Sequence, residues 1–407
     1  MKPKFTYVFF ILFYQLVFNI NYAYPNISST KHTIPFLFEN NLIIVKVKLN
    51  NFLNVNFIVD SGAEQTIITK REIAEVLNLK FSNTQSFYSA DLTTVMYASL
   101  AKNLNFKFGQ FVLKNQYVFV LEEDYFNLEA ITGMPIHGIL SLGHFKTWLT
   151  KIDYKRKNIE LLPFTKKQLT TKNFDKLPCS VKQNRFYLNG QIEYQSLDTA
   201  NVKLLVDTGS AHTLVLHNYS HPKIDLPENY VKGVIGLSLG GMVEGYIGKT
   251  KLLNIKDLKF EQLLTHYQVL PHIKDLSILD GRHGFIGNLL LKNYTIIFDY
   301  ETPSIYLKRN KTKLKINDYD KSGLVLFVSG KNLNHFIVKS VVENSPADKA
   351  GILANDRLLS INNKPTQLFS LSRINKILAS KAGKKVKLTL RRGATRYKKK
   401  IKLKDLI

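Results

Sequence analysis

The sequence predicts a mainly β chain made of two similar lobes, followed by a smaller β-rich module. Three observations lead there. First, Asn54-Val55-Asn56-Phe57-Ile58-Val59-Asp60-Ser61-Gly62-Ala63 returns 147 residues later as Asn201-Val202-Lys203-Leu204-Leu205-Val206-Asp207-Thr208-Gly209-Ser210. Each copy is an apolar strand that breaks at Asp-Ser/Thr-Gly and resumes as a second apolar strand. Second, Gly138-Ile139-Leu140, Asp153-Tyr154 and Ile159-Glu160-Leu161 return at a constant offset of 146 as Gly284-Phe285-Ile286, Asp299-Tyr300 and Ile305-Tyr306-Leu307. A nearly constant offset across four blocks marks an internal repeat of whole supersecondary units. Third, the pattern changes after Ser322, where no third copy follows.

Residues 1–23 read as a signal peptide. Lys2 and Lys4 precede an apolar stretch from Phe5 to Ile20, and Asn21-Tyr22-Ala23 ends on a small residue suited to cleavage. Export is therefore expected, to a periplasmic or secreted location, with an uncleaved membrane anchor as the alternative. The stretch is short for a spanning helix, and no lipobox cysteine accompanies it.

Lobe one is assigned to residues 24–165. Between Leu42 and Leu49, Val45, Val47 and Leu49 alternate with Lys46 and Lys48, the period of a half-buried strand. Ile73, Val76, Leu77 and Leu79 give Arg71–Leu79 a helical spacing. Asn103–Leu121 reads as strands around a turn at Gly109-Gln110. The segment Phe87–Leu100 is a candidate cleft-covering hairpin, with Tyr88 or Tyr97 near its tip. Polar, lysine-rich Thr165–Lys176 reads as the connection to lobe two, residues 166–312. There, the glycine-rich Gly233–Gly248 stretch suits a hairpin over the cleft or a plain surface hairpin.

The third module is assigned to 313–407. In Val341-Val342-Glu343-Asn344-Ser345-Pro346-Ala347, Ser345 is placed to cap a short helix, Pro346 suits its first turn and Gly351 its end. Asn355-Asp356-Arg357-Leu358-Leu359-Ser360-Ile361 begins with a residue that tolerates left-handed backbone. Leu371, Ile374, Ile377 and Leu378 form one helix face, and Val386, Leu388 and Leu390 alternate with polar residues as a strand.

The paired Asp-Ser/Thr-Gly turns, with Phe285-Ile286-Gly287 and the strand Tyr294–Asp299 behind them, make residues 35 to 310 resemble the pepsin/retropepsin superfamily of aspartic proteases. The resemblance implies a bilobal pepsin/retropepsin-like acid protease fold. It also implies an aspartic endopeptidase whose catalytic residues are Asp60 and Asp207, supported by Ser61, Gly62, Thr208 and Gly209. Lobe one departs from the family pattern at Ser141, where Gly is usual. The module after Ser322 resembles a PDZ domain of the bacterial type, a small β-barrel with helices. Such domains bind peptides by adding a strand to a sheet edge. The resemblance places the terminal carboxylate at Gly323, Leu324, Val325 and Leu326, and implies a role in substrate recruitment or regulation.

Two carboxyls about 3 Å apart resist ionising together and share one proton. The ionised partner takes a proton from a water, and the protonated partner donates to a carbonyl oxygen. That chemistry needs neither metal nor cofactor, and none is expected. Asp198-Thr199 mimics the motif, but Ala200 stands where glycine is required. His212, His217 and His221 are close in sequence without a metal-ligand spacing.

The chain has 57 basic against 31 acidic residues, a net charge of +26, which favours acidic partners non-specifically. The lysines are scattered and no nucleic-acid motif accompanies them, so nucleic acid is not an expected partner. The basic run Arg391–Lys404 alternates with Tyr397, Ile401 and Leu403 and reads as a solvated strand face, with peripheral membrane contact as the alternative. Cys179, the single cysteine, excludes an intrachain disulfide. Polypeptide substrates and a monomer are expected. A catalytically inactive peptide-binding scaffold on the same fold is the alternative reading, motivated by Ser141, and paired-carboxylate chemistry on a glycan is a third.

Overall fold

The computed structural model describes residues 30–88, 95–194, 196, 198–218, 220–238, 241–269, 279–311 and 319–407. The signal peptide expected at 1–23, the tip of the lobe-one hairpin and most of the stretch joining lobe two to the third module lie outside these residues.

Lobe one begins as a meander of His32–Glu39, Leu42–Leu49 and Leu53–Asp60. Its turns are Asn40-Asn41 and Asn50-Asn51, and all four residues have positive φ. Two-residue hairpin loops demand left-handed backbone at both positions, and asparagine supplies it where glycine is absent. Gln183-Asn184 and Asn362-Asn363 repeat the device. The helix Arg71–Val76 stops as Asn78 turns left-handed, and the Gly109-Gln110 turn joins Val95–Phe108 to Phe111–Leu121.

The aspartate strand Leu53–Asp60 runs parallel to Gly138–Ser141, with Asp60 opposite Ser141. In lobe two Thr199–Val206 runs parallel to Gly284–Ile286, with Val206 opposite Ile286. The remaining repeated blocks build the seam between the lobes. Asp153-Tyr154 and Asp299-Tyr300 end the strands Leu149–Asp153 and Tyr294–Asp299, which pair antiparallel to each other. A single apolar cluster runs from Ile34 through Leu140 and Leu204 to Leu307, so the two lobes share one core.

The stretch 165–176 is more ordered than a linker. It holds the one-turn helix Lys167–Thr171 and leads into the strand Asp175–Pro178, which pairs with Ser304–Arg309. Lys167 reaches the buried Asp299 carboxylate at 2.6 Å.

The third module has its own core around Leu326, Phe336, Ile352, Leu358, Ile374 and Leu388. Its sheet runs in the order Leu324–Ser329, His335–Val341, Arg357–Ile361, Lys385–Arg392, Thr395–Lys402. Ser345 accepts from the Asp348 amide at 3.3 Å to cap the helix Pro346–Lys349, and Gly351 and Asn355 take φ of 71° and 69°. Asp356 is fully buried and gripped by Arg392 through two bonds of 2.8 Å.

Candidate active site

The two Asp-Ser/Thr-Gly turns meet between the lobes, and their hydroxyl residues lock them together by a reciprocal set of bonds. Ser61 N donates to Thr208 Oγ1 at 2.9 Å, and Thr208 N donates to Ser61 Oγ at 3.0 Å. The Ser61 hydroxyl donates to Val206 O at 2.6 Å, and the Thr208 hydroxyl to Val59 O at 2.9 Å. Ser61 and Thr208 are both wholly buried. Their side chains thus satisfy main-chain groups of the opposite lobe, which fixes the strand ends that carry the aspartates.

This grip brings the Asp60 and Asp207 carboxyls into hydrogen-bond contact. Glycine is required beside them. A Cβ on Gly62 would stand 2.9 Å from Asp207 Cγ, and one on Gly209 would stand 2.4 Å from Asp60 Cγ. Burial raises both carboxyls above the ordinary carboxylate range, and the Asp60 charge drives Asp207 well above it. The surroundings are unequal. Asp60 receives the amides of Gly62 at 2.6 Å and Ala63 at 3.1 Å, and that of Gly209 as well. Among the described residues, the one amide that Asp207 receives is that of Gly209, at 2.8 Å. More N–H donors stabilise charge on Asp60, so of the two carboxyls Asp207 holds a proton more strongly.

Ser141 fits its position. Its amide donates to Thr66 Oγ1 at 2.9 Å and its hydroxyl to Ala63 O at 2.7 Å. At the matching place in lobe two, a Cβ on Gly287 would lie 2.5 Å from His212 O and 2.8 Å from Ser210 Oγ. Lobe one has Ala63 where lobe two has Ser210, so the hydroxyl has changed sides and space for Ser141 remains.

Several supporting residues carry no local sequence signal. Asn288 Nδ2 donates to Thr208 O at 2.6 Å, and the Tyr154 hydroxyl holds the Asn288 amide oxygen at 2.6 Å. His144 Nε2 lies 2.7 Å from Thr66 Oγ1, and burial pushes His144 down to about 4. Tyr154 belongs to a repeated block, which was the only available hint.

The histidines of lobe two face three different neighbours. His212 rests on His266 with ring centroids 4.3 Å apart, His217 on Phe285 at 5.9 Å and His221 on His283 at 5.4 Å. Asp198-Thr199 sits at the entry of a strand, away from the pair. Tyr230–Ser238 and Gly241–Ile255 form the glycine-rich hairpin expected in lobe two. In lobe one Phe81–Tyr88 pairs with Val95–Phe108. Tyr97 stands opposite Ser86 and is exposed, while residues 89–94 lie outside the described part. A cavity of about 410 Å³ lined by Pro227, Tyr230, Lys249, Gln262 and Ile407 lies at the contact of lobe two with the chain end, away from the carboxyls.

A family model described as "Aspartyl protease" matches residues 45–142, the stretch that holds Asp60. The chain carries an aspartyl protease domain. A second model, described as "PDZ domain", matches residues 337–392. The aspartyl protease match stops before Asp207, so the second aspartate rests on the repeat and on the geometry above. Among solved structures, the crystal structure of Basic 7S globulin from soybean is similar at 10% identity and a TM-score of 0.43. The likeness covers 69% of this chain and 95% of that one. A search of curated proteins finds no match. The fold around the aspartyl protease domain is mainly β and two-lobed, with the PDZ domain at its C-terminal side.

Where a PDZ domain would take a peptide carboxylate, Gly323 has a φ of 82° and Leu324 and Leu326 are buried. The amides of Ser322 and Gly323 already donate to the Asp320 carboxylate, at 2.9 and 2.6 Å.

Proposed function

We propose that the chain is an exported aspartic endopeptidase that cleaves polypeptides at Asp60 and Asp207, with the PDZ domain recruiting or regulating. The observation that carries this reading is the hydrogen-bonded carboxyl pair at a pseudo-twofold seam, both carboxyls raised by burial and Asp207 further by the Asp60 charge. Asp60, with three N–H donors, is the base. It takes a proton from a water between the carboxyls as the water oxygen attacks the peptide carbonyl carbon. Asp207, holding the shared proton, gives it to the carbonyl oxygen. In the resulting tetrahedral diol, the proton now on Asp60 passes to the amide nitrogen, the C–N bond breaks, and one diol hydroxyl returns its proton to Asp207. Every proton is accounted for within the pair and the water.

Ser61 and Thr208 hold the turns, and Gly62 and Gly209 give the amides access. The N-terminal stretch 1–23 supports export, and the pair needs no second copy of the chain, in keeping with a monomer. The basic run Arg391–Lys404, which includes the strand Thr395–Lys402, keeps peripheral contact with an anionic surface as part of the reading. Ser141 leaves the pair undisturbed, so the inactive-scaffold alternative is decided by assay. The purified protein is incubated with an unfolded polypeptide from acid to neutral pH, with and without a pepstatin-like inhibitor. Inhibitor-sensitive cleavage is expected. Cleavage that survives in both Asp60→Asn and Asp207→Asn rejects the mechanism.

A further inference from the structure

The PDZ strand Leu324–Ser329 is a sheet edge. Among the described residues it pairs on one side only, with His335–Val341, and the helix Leu371–Leu378 packs beside it. An incoming peptide strand would lie between the two. That place has an occupant. The lobe-one helix Leu128–Thr132 packs against this same strand. Gly133, which ends that helix at φ 74°, abuts the PDZ helix so closely that a Cβ there would be 2.9 Å from Leu371 Cβ. Asn375 on the PDZ helix donates to Asn40 Oδ1 at 3.1 Å, and Asn40 Nδ2 donates to Thr132 O at 2.8 Å. One asparagine thus staples the lobe-one helix to the PDZ helix. The amides of the adjoining loop are also taken, by Asp320 of the same chain.

The occupant leads straight to the aspartates. After Gly133 the chain runs through Met134 and Ile136 into Gly138–Ser141, whose last residue stands opposite Asp60. Leu128, Met134 and Ile136 pack in one cluster with Ile58 and Ala211, which flank Asp60 and Asp207 in sequence. On the other lobe, Gly233 of the glycine-rich hairpin approaches PDZ residue Val342, with a Cβ there standing 3.3 Å from Val342 Cγ2.

We propose that the lobe-one segment Leu128–Gly133 is a resident plug of the PDZ peptide groove, and that a polypeptide strand entering the groove competes with it. Release of the plug loosens the wall behind Ile58 and Ala211, so peptide binding and cleavage are coupled. The coupling half of the proposal rests on the peptidase reading above; the plug half does not.

The test uses the full chain and the double variant Asn40→Asp/Asn375→Asp. It sets two carboxylates face to face, and one against the Thr132 carbonyl, without touching either core. The probe is a set of fluorescein-labelled short peptides with free C-terminal carboxylates, read by anisotropy. Hydrogen exchange at 128–133 and 324–329 reports the docking directly. The variant is expected to expose both segments and to bind the peptides about tenfold more tightly than the native chain. Equal affinity in the two proteins overturns the plug, as does binding to neither, and so does unchanged exchange. In the native chain, saturating peptide is expected to change the rate of polypeptide cleavage; a constant rate overturns the coupling. If neither protein cleaves at all, the peptidase reading fails while the anisotropy result still stands on its own.

Discussion

Thr208→Val is the sharpest test of the seam. Valine keeps the β-branched shape and removes only the hydroxyl. Thr208 Oγ1 accepts from Ser61 N at 2.9 Å and donates to Val59 O at 2.9 Å, in a site with no solvent access. Valine leaves both partners without that bond. Each orphaned buried polar group costs about 1–3 kcal/mol, and a carbonyl has a second lone pair whereas an amide hydrogen has no alternative, so a loss of about 2–4 kcal/mol is expected. Thr208→Ser keeps the hydroxyl and should fall within about 1.5 kcal/mol of the native protein, losing only a methyl group. Urea unfolding followed through the single tryptophan, Trp148, which is buried in the shared core, reads both values. Because the turns are mispositioned, peptidase kcat should drop about a hundredfold in the valine variant, with little change in the serine one. A valine variant within about 0.5 kcal/mol of native would show that the reciprocal bonds do not hold the lobes together.

Asp207→Asn should abolish cleavage while leaving the protein as stable as native, or more so, at neutral pH, since a raised carboxyl opposes folding once ionised; a marked destabilisation by denaturant titration would contradict that. Activity should decline as pH rises through the raised Asp207 value, because the shared proton is then lost; a rate that climbs from pH 5 to 8 would refute the assigned roles. Stability should move the other way with acid. Burial holds His144 and His212 at about 4 and His217 at about 3, so these rings are neutral in the folded protein. Their contribution is full above the unfolded value near 6.5 and is lost as pH falls towards 4, at about 1.4 kcal/mol per histidine per pH unit. A flat unfolding midpoint from pH 7 to 4.5 would contradict this, and His217→Phe, beside the Phe285 ring, should shallow the slope. Removing residues 313–407 should leave the two lobes folded, since the PDZ core is separate from theirs; loss of cooperative unfolding in the remainder would show that the lobes depend on it.

What could be read from sequence is what the backbone itself demands. A Cβ on Gly62 would run into Asp207 and one on Gly209 into Asp60, so Gly must stand two residues after Asp in both copies, and the repeat is visible. The PDZ helix start was equally legible, because Ser-Pro followed by Gly encodes a cap, a first turn and a stop. Contacts that join distant segments left no such trace. Tyr154 and Asn288 are 134 residues apart, His144 and Thr66 are 78 apart, and neither pair has a period or spacing to announce it. The stretch 165–176 looked like a linker because its lysines are polar, yet Lys167 was there to neutralise a buried Asp299. The seating of the PDZ domain on lobe one was hidden for a similar reason, since Asn40 and Asn375 are ordinary turn and helix residues until they meet.

The repeat also shows where duplication ends and chemistry begins. The two copies agree at the positions that hold the turns, Ser61 with Thr208 and Gly62 with Gly209. They differ in the next residue. Ala63 turns its amide to the Asp60 carboxyl at 3.1 Å, while the Ser210 amide goes to the main-chain oxygen of Asp207 at 3.4 Å. Behind them, the Ser141 hydroxyl holds Ala63 O, whereas the Asn288 amide holds Ser210 O at 2.8 Å. The Ala63 amide is one of the donors that break the symmetry of the pair and favour charge on Asp60. On that argument the serine at 141, which looks like a loss of the family pattern, belongs to the arrangement that turns the Ala63 amide to Asp60, the base of the proposed mechanism.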